Sequence, residues 1–142
     1  PYPTLFPYTT LFRSRKTRMV IARLQDAGIR VSVFIDPDLK QVEAACEACA
    51  DMIELHTGAF ANATGDAVQT ELDRLAAAAK EGHLSLQVNA GHGINYTNIQ
   101  QILTIPHLAE LNIGHSIIAR STRVGLTAAV REMKELMAAY SA

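Results

Sequence analysis

Carboxylate and histidine side chains recur at the ends of predicted β-strands. Glu54 and His56 stand two residues apart in one β-rich run, and His92 and His115 follow two later runs. A carboxylate grouped with histidines can donate and accept protons near neutral pH, which is the basis of general acid–base catalysis. Burying such groups is costly unless they are paired, and that cost is typical of catalytic sites. These residues are the candidate acid–base set, although a single histidine at a strand end is commonly no more than a polar rim residue.

Glycines surround one of these histidines. His92 lies between Gly91 and Gly93 in the stretch VNAGHGINYTN. Glycine permits a positive φ angle or a close approach of the backbone to a ligand. A histidine needed only for packing would not require this freedom on both sides, so the pattern indicates that His92 is presented to a ligand.

A second glycine-containing segment has the features of an anion site. Gly114, His115 and Ser116 run directly into a predicted helix. The first turn of a helix offers unpaired N–H groups and a favourable dipole to a phosphate. In (β/α)₈ barrels, the loops after the seventh and eighth strands frequently hold phosphate. Gly93 and the Gly114–Ser116 segment are therefore the candidate phosphate contacts.

Alternating strands and helices must position these residues. The β-branched and apolar runs predict strands at 30–36, 51–57, 84–90 and 110–115, each followed by a helix, after a first helix that Gly28 ends. Strands connected by helices form a parallel sheet with right-handed crossovers, and functional groups gather at the carboxyl ends of such strands. Two architectures remain open at this point: a small open sheet, or half of a barrel, whose eight units need about 250 residues.

The helical periodicity predicts which side chains pack. The first helix places Met19, Val20, Leu24 and Ala27 on one face, and the second places Cys46 and Cys49 on its apolar face. Residues 59–66 are predicted to be a loop, and Gly82 is predicted to end the next helix. One final helix is predicted to carry the apolar residues Val124, Val130, Met133, Leu136 and Met137.

Other motifs in the sequence are weaker. The segment GHGINY has Tyr96 where a dinucleotide-binding fingerprint needs its third glycine. The CEAC segment has the spacing of a metal or redox pair, but it lies in a helix with no second pair, which favours core packing. Neither a metal ligand set nor a nucleotide loop is predicted.

The composition limits the classes of function. The 142 residues have a net charge of −1 and are 49% hydrophobic and 19% charged, which is typical of one packed domain. This charge gives no general attraction to nucleic acid or anionic lipid, and no apolar run reaches the length of a membrane span. Two cysteines do not make a disulfide framework. We therefore expect a cytoplasmic protein without nucleic-acid or membrane partners.

The first 14 residues differ from the rest. The stretch PYPTLFPYTTLFRS has three of the five prolines in the chain and no helical or alternating period. It resembles a non-native leader, translated from a sequencing adapter and fused to an incomplete reading frame, and a natural arm is the alternative. Residues 15–142 are taken as the folded unit.

Four segments together resemble one protein family. VSVFIDPD, IELHTGAFANA, VNAGHGINYTN and ELNIGHSIIARS are similar, in this order, to successive signatures of the pyridoxine 5′-phosphate synthase family, also called PdxJ. The resemblance implies a (β/α)₈ TIM barrel with extra helices. It further implies an octameric, transferase-type synthase of vitamin B6 biosynthesis that uses no metal or organic cofactor. The implied reaction condenses 1-deoxy-D-xylulose 5-phosphate with 3-amino-2-oxopropyl phosphate to pyridoxine 5′-phosphate, inorganic phosphate and water.

The resemblance also implies roles for single residues. Glu54 matches the glutamate that stabilises the transition state, and His92 matches the proton donor. Gly93 matches a contact to the amino-ketone phosphate, and Gly114 and His115 match a phosphate-binding pair. These are the residues that the strand ends indicate independently.

The resemblance covers only the second half of the family's barrel. The family's first half supplies a histidine and a glutamate as proton acceptors and an arginine for substrate, and the sequence contains no match to them. The resemblance therefore implies four parallel βα units, five to eight of the barrel, preceded by one helix, and a chain that is inactive by itself. Two alternatives remain: a non-catalytic half-barrel module that binds phosphate ligands, and an open α/β domain unrelated to vitamin B6.

Overall fold

The computed structural model describes residues 15–138 and Tyr140; the predicted leader, residues 1–14, lies outside this range. Four strands alternate with seven helices in the described residues. In chain order they are α1 (Arg15–Asp26), β1 (Ser32–Ile35), α2 (Leu39–Glu47), β2 (Met52–His56), α3 (Gly58–Asn62), α4 (Ala67–His83), β3 (Gln87–Gly91), α5 (Ile99–Ile102), β4 (Leu108–Asn112), α6 (His115–Val124) and α7 (Leu126–Met137).

All four strands form one parallel sheet in the order β1-β2-β3-β4. A doubly wound sheet reverses its strand order at a switch point, and this sheet does not. Right-handed crossovers between successive neighbours place every connecting helix on the same face. The order is that of one half of a (β/α)₈ barrel, as predicted.

The two faces of the sheet differ in polarity. One face is apolar and packs against the helices, with Val33, Ile53 and Val88 buried on consecutive strands. On the other face, the register pairs Phe34 with Glu54 and Glu54 with Asn89. A strand covered by helices on both faces would be apolar throughout. The alternation in β1 and β2 instead gives the sheet one polar face, which is the face that a barrel turns inward.

The amino end of the sheet is held by hydrogen bonds. The Asp51 carboxylate, just before β2, accepts from the Val31 N–H at 2.7 Å and from the Gln25 side chain at 3.0 Å. These two bonds lower the pKa of the Asp51 carboxyl, the Gln25 bond having the larger effect. The contact joins the loop after α1 to the start of β2, at the end of the strands opposite their carboxyl ends.

The structure corrects four element boundaries. The predicted loop at 59–66 begins with a short helix, α3, and the fourth strand spans Leu108–Asn112 rather than 110–115. The strand ends at Asn112 because that residue pairs with Gly91, the last residue of β3. The predicted final helix is two helices, because Gly125 between them has φ 83° and ψ 154°, which no helix accommodates. Helix α4 ends at His83, one residue beyond the predicted stop at Gly82.

Two packing predictions are wrong. Ile21 is the buried residue of α1, whereas Met19 and Val20 are about half exposed. Cys49 lies beyond the end of α2, has φ 58° and is exposed, so it does not pack in the core with Cys46. The first helix is correctly predicted but buries a different face, whereas the second helix ends before Cys49. No helix in the described part of the chain combines the length and apolar character that a membrane span needs.

Candidate active site

A concavity of about 690 Å³ opens at the carboxyl ends of the strands. Its walls come from all four strand ends and from the loops that follow β3 and β4. The prediction that Glu54, His92 and His115 share one rim is confirmed, and the predicted phosphate contacts Gly93, Gly114 and Ser116 lie there too. His56, the remaining member of the candidate acid–base set, does not line the concavity. The lining residues are Phe34, Glu54, His92, Gly93, Ile94, Asn95, Asn112, Ile113, Gly114, His115 and Ser116.

Glu54 owes its position to the glycine on the next strand. Strand β2 places Glu54 on the polar face of the sheet, half-buried and lining the concavity. A Cβ atom on Gly91 would collide with Oε1 of Glu54 and would lie 3.0 Å from Cβ of Asn112. Since φ of Gly91 is not positive, this glycine provides space for the Glu54 carboxylate rather than an unusual backbone angle.

His92 itself adopts the left-handed backbone that its neighbours were expected to provide. Its φ is 78°, and Gly93 has the same value. Such a φ is uncommon outside glycine, although histidine is among the residues that adopt it more often. The Thr57 N–H donates to the Gly91 carbonyl at 2.9 Å, and the Thr57 hydroxyl contacts the carbonyls of Gly91 and His92. Thr57, which is fully buried, thereby fixes the strained turn and turns the His92 side chain out of the core.

The start of α6 forms the opposite wall. Gly114 precedes the helix without a side-chain cap, and the first turn contains no acidic residue. The first N–H groups of a helix lack partners within it and attract anions. The Ser116 hydroxyl donates to the Ile94 carbonyl at 2.8 Å, which joins this turn to the loop after β3. The arrangement suits a phosphate between the two loops.

A second carboxylate stands behind the histidines. Asp36, at the end of β1, lies 3.2 Å from Nδ1 of His56, and the ring of His56 lies 4.9 Å from the ring of His92. The sequence analysis used the ends of the second, third and fourth strands and did not include Asp36. A search for ionisable residues at the carboxyl end of the first strand, in the segment FIDPD, would have identified Asp36.

The concavity suits acid–base chemistry on a phosphorylated molecule. It brings together a carboxylate and an exposed imidazole, which can transfer protons, and an uncapped helix start, which can hold a phosphate. Within residues 15–138 and Tyr140, no group of three or more His, Cys, Asp or Glu side chains is arranged to hold a metal ion.

Comparison with known proteins gives consistent results. A family model described as "Pyridoxal phosphate biosynthesis protein PdxJ" matches residues 9–139. A pyridoxine 5′-phosphate synthase of Akkermansia muciniphila is 53% identical over 127 residues, which are 88% of this chain and 52% of that protein. One of Magnetococcus marinus is 54% identical over 119 residues, 82% of this chain and 49% of that protein. The chain thus spans about half the length of the curated relatives it matches.

Proposed function

The chain belongs to the PdxJ family of pyridoxal phosphate biosynthesis proteins, and from that membership we propose that it forms the second half of a pyridoxine 5′-phosphate synthase. The observation that carries the proposal is that residues from three separate family-like segments meet in one concavity: Glu54, His92 and His115. The substrates proposed are those of the family, 1-deoxy-D-xylulose 5-phosphate and 3-amino-2-oxopropyl phosphate.

His92 is the proposed proton donor. Its left-handed backbone and the contacts of Thr57 direct the imidazole towards the concavity, where a leaving oxygen would need a proton. Glu54 is the proposed stabiliser of the transition state, because its carboxylate faces the same space and can pair with a developing positive charge.

Phosphate binding is proposed for Gly93, Gly114 and His115. The start of α6 supplies N–H groups and the positive end of a helix dipole, and the imidazole of His115 adds a further donor. Gly93 has a positive φ, and a Cβ atom there would lie 2.5 Å from Cβ of Ala61, so only glycine lets the loop after β3 pack against α3 while its backbone lines the concavity. These contacts need no metal or organic cofactor.

We further propose that turnover requires a first half-barrel. The family's proton acceptors match no residue here, and in the described sheet each of β1 and β4 has one unpaired edge. The complete protein is proposed to be a cytoplasmic homo-octamer, as the family resemblance implies, with phosphorylated small molecules and no nucleic acid as ligands. The chain by itself is proposed to be inactive.

The test joins residues 15–140 to the first half of the Akkermansia muciniphila relative and assays pyridoxine 5′-phosphate by mass spectrometry. The joined protein should turn over, whereas residues 15–140 alone should not. His92→Ala should lower kcat by about 10²- to 10⁴-fold with a smaller change in substrate binding. The matched control is His83→Ala, at the exposed end of α4 and outside the concavity, which should leave kcat unchanged.

Two results would contradict the proposal. An unchanged kcat in the His92→Ala variant would exclude His92 as the proton donor. A joined protein that binds inorganic phosphate by ³¹P NMR but makes no product would favour the alternative, a non-catalytic module that binds phosphate ligands.

A further inference from the structure

Three aromatic rings stand in a row at the ends of β1, β2 and β3. The ring of His56 lies 5.1 Å from the ring of Phe34 on one side and 4.9 Å from the ring of His92 on the other. Both contacts are edge-to-face, with interplanar angles of 64° and 62°. This geometry is attractive for aromatic rings, so the row favours one orientation of His92.

Glycine at position 58 makes the close approach of the two imidazoles possible. A Cβ atom there would lie 2.6 Å from Nε2 of His56 and 3.1 Å from Cδ2 of His92. Any larger residue would push the rings apart. The start of α3 therefore leaves space that the two histidines use together.

Asp36 fixes the tautomer of a neutral His56. Its Oδ1 lies 3.2 Å from Nδ1 of the imidazole. An ionised carboxylate can only accept a hydrogen bond, so Nδ1 of a neutral His56 must have the proton and Nε2 the lone pair. The pair thus sets both the tautomer and the rotation of the ring that touches His92.

We propose that His56, oriented by Asp36, is a positioning residue that holds the imidazole of His92 in the orientation needed for proton donation. The proposal rests on the proposed function, in which His92 is the proton donor. His56 does not line the concavity, so it acts on the reaction through His92 and not by touching substrate. This role adds Asp36 and His56 to the site residues that the family resemblance implies.

Stability alone does not account for the pair. The side chains of His56 and Asp36 are 32% and 46% exposed, and exposed ion pairs contribute little to folding. Both residues also lie on the polar face of the sheet, away from the buried cluster between sheet and helices. Both residues are linked to His92: the ring of His56 contacts the ring of His92, and Asp36 contacts the ring of His56.

The first experiment is independent of turnover. In the ¹⁵N NMR spectrum of the histidine rings of this chain, at a pH where they are neutral, His56 should show the Nδ1–H tautomer. Asp36→Ala should remove that tautomer preference and weaken the ring-to-ring Overhauser effects between His56 and His92. Asp36→Asn retains an oxygen acceptor and should preserve both signals. Unaltered signals in Asp36→Ala would overturn the proposal.

The second experiment uses the joined protein described above. His56→Ala and Asp36→Ala should each lower kcat by about 10- to 100-fold, the range seen when a partner that orients a functional histidine is removed. KM should change far less, because neither side chain lines the substrate space. Asp36→Asn should recover most of kcat, which a merely electrostatic role of Asp36 would not predict.

Asp38→Asn is the matched control. This variant removes one negative charge, as Asp36→Ala does, at a position two residues from Asp36. Asparagine at position 38 still caps α2, as Asp38 does. Its kcat should equal that of the unmodified protein. Equal losses in kcat for Asp38→Asn and Asp36→Ala would overturn the positioning role. An unmodified joined protein without turnover would instead contradict the proposed function, and the NMR result would then decide the positioning role alone.

Discussion

Replacing Gly91 with alanine tests whether the end of β3 is shaped to make room for Glu54. The added Cβ atom would collide with Oε1 of Glu54 and would lie 3.0 Å from Cβ and 3.1 Å from the carbonyl oxygen of Asn112. The Glu54 carboxylate is the end of a flexible side chain and can rotate away. Asn112 belongs to the paired strand β4 and can yield only if the sheet deforms.

The magnitude follows from two opposing effects. Forcing one methyl group into a packed site costs about 1–3 kcal/mol. Alanine in place of glycine also restricts the unfolded chain, which offsets about 0.4–1 kcal/mol of that cost. The φ of Gly91 is not positive, so no backbone strain is added. We therefore expect Gly91→Ala to lower the free energy of unfolding by roughly 1–2 kcal/mol.

Urea denaturation of the chain, followed by circular dichroism, measures this difference. Gly114→Ala is the control, because a Cβ atom there has no neighbour within 4 Å and φ is −111°. Its free energy of unfolding should equal that of the unmodified chain or exceed it by up to about 1 kcal/mol, because the added methyl group meets no neighbour and alanine restricts the unfolded chain. In the joined protein, Gly91→Ala should also lower kcat, because Glu54 must rotate out of the concavity. Equal stabilities of the two variants would refute the steric argument.

Two further predictions concern groups outside the concavity. Hydrogen bonds from Gln25 and Val31 lower the pKa of the Asp51 carboxyl. They therefore stabilise the fold at pH values above about 3.9, the pKa of an aspartate in the unfolded chain. That stabilisation should disappear as the pH falls through the lower pKa of the folded state. The difference in the free energy of unfolding between the chain and Asp51→Asn should therefore be larger at pH 7 than at pH 2. A difference that does not change with pH would contradict this prediction. Gly125→Ala should destabilise the chain by about 1–3 kcal/mol, because a backbone with φ 83° and ψ 154° is accessible essentially to glycine alone. A urea midpoint equal to that of Gly114→Ala would contradict this prediction.

Strand and helix periodicity predicted the fold because successive βα units are local patterns. Each strand was recognised from its own apolar run, and the helical connections predicted a parallel sheet. The periodicity left an open sheet and half of a barrel as alternatives, and the family resemblance favoured the half-barrel. One boundary error falls where non-local pairing decides. Strand β4 ends at Asn112 because Gly91 ends β3, and no pattern within residues 110–115 contains that information.

The site was predictable for a related reason. Parallel strands bring their carboxyl ends to one edge, so polar residues at those positions must be neighbours. The backbone of His92 was not predictable, because its positive φ depends on bonds from Thr57 across 35 residues of chain. The pairing of Asp36 with His56 likewise depends on how neighbouring strands align, which the sequence of either strand does not specify.

The proposed phosphate contacts and the proposed proton transfer differ in how much of the complete protein they need. Gly93 and the Gly114–Ser116 turn belong to the loops after β3 and β4, and the Ser116 hydroxyl already joins those loops through the Ile94 carbonyl at 2.8 Å. A phosphate site built from them needs no residue outside the described chain. The proposed proton transfer differs, because a proton donor such as His92 needs a proton acceptor elsewhere, and the family resemblance places those acceptors in the first half-barrel. We therefore expect residues 15–140 alone to bind inorganic phosphate and the joined protein to be required for turnover. Phosphate binding that appears only in the joined protein would show that this second half does not form its anion site independently.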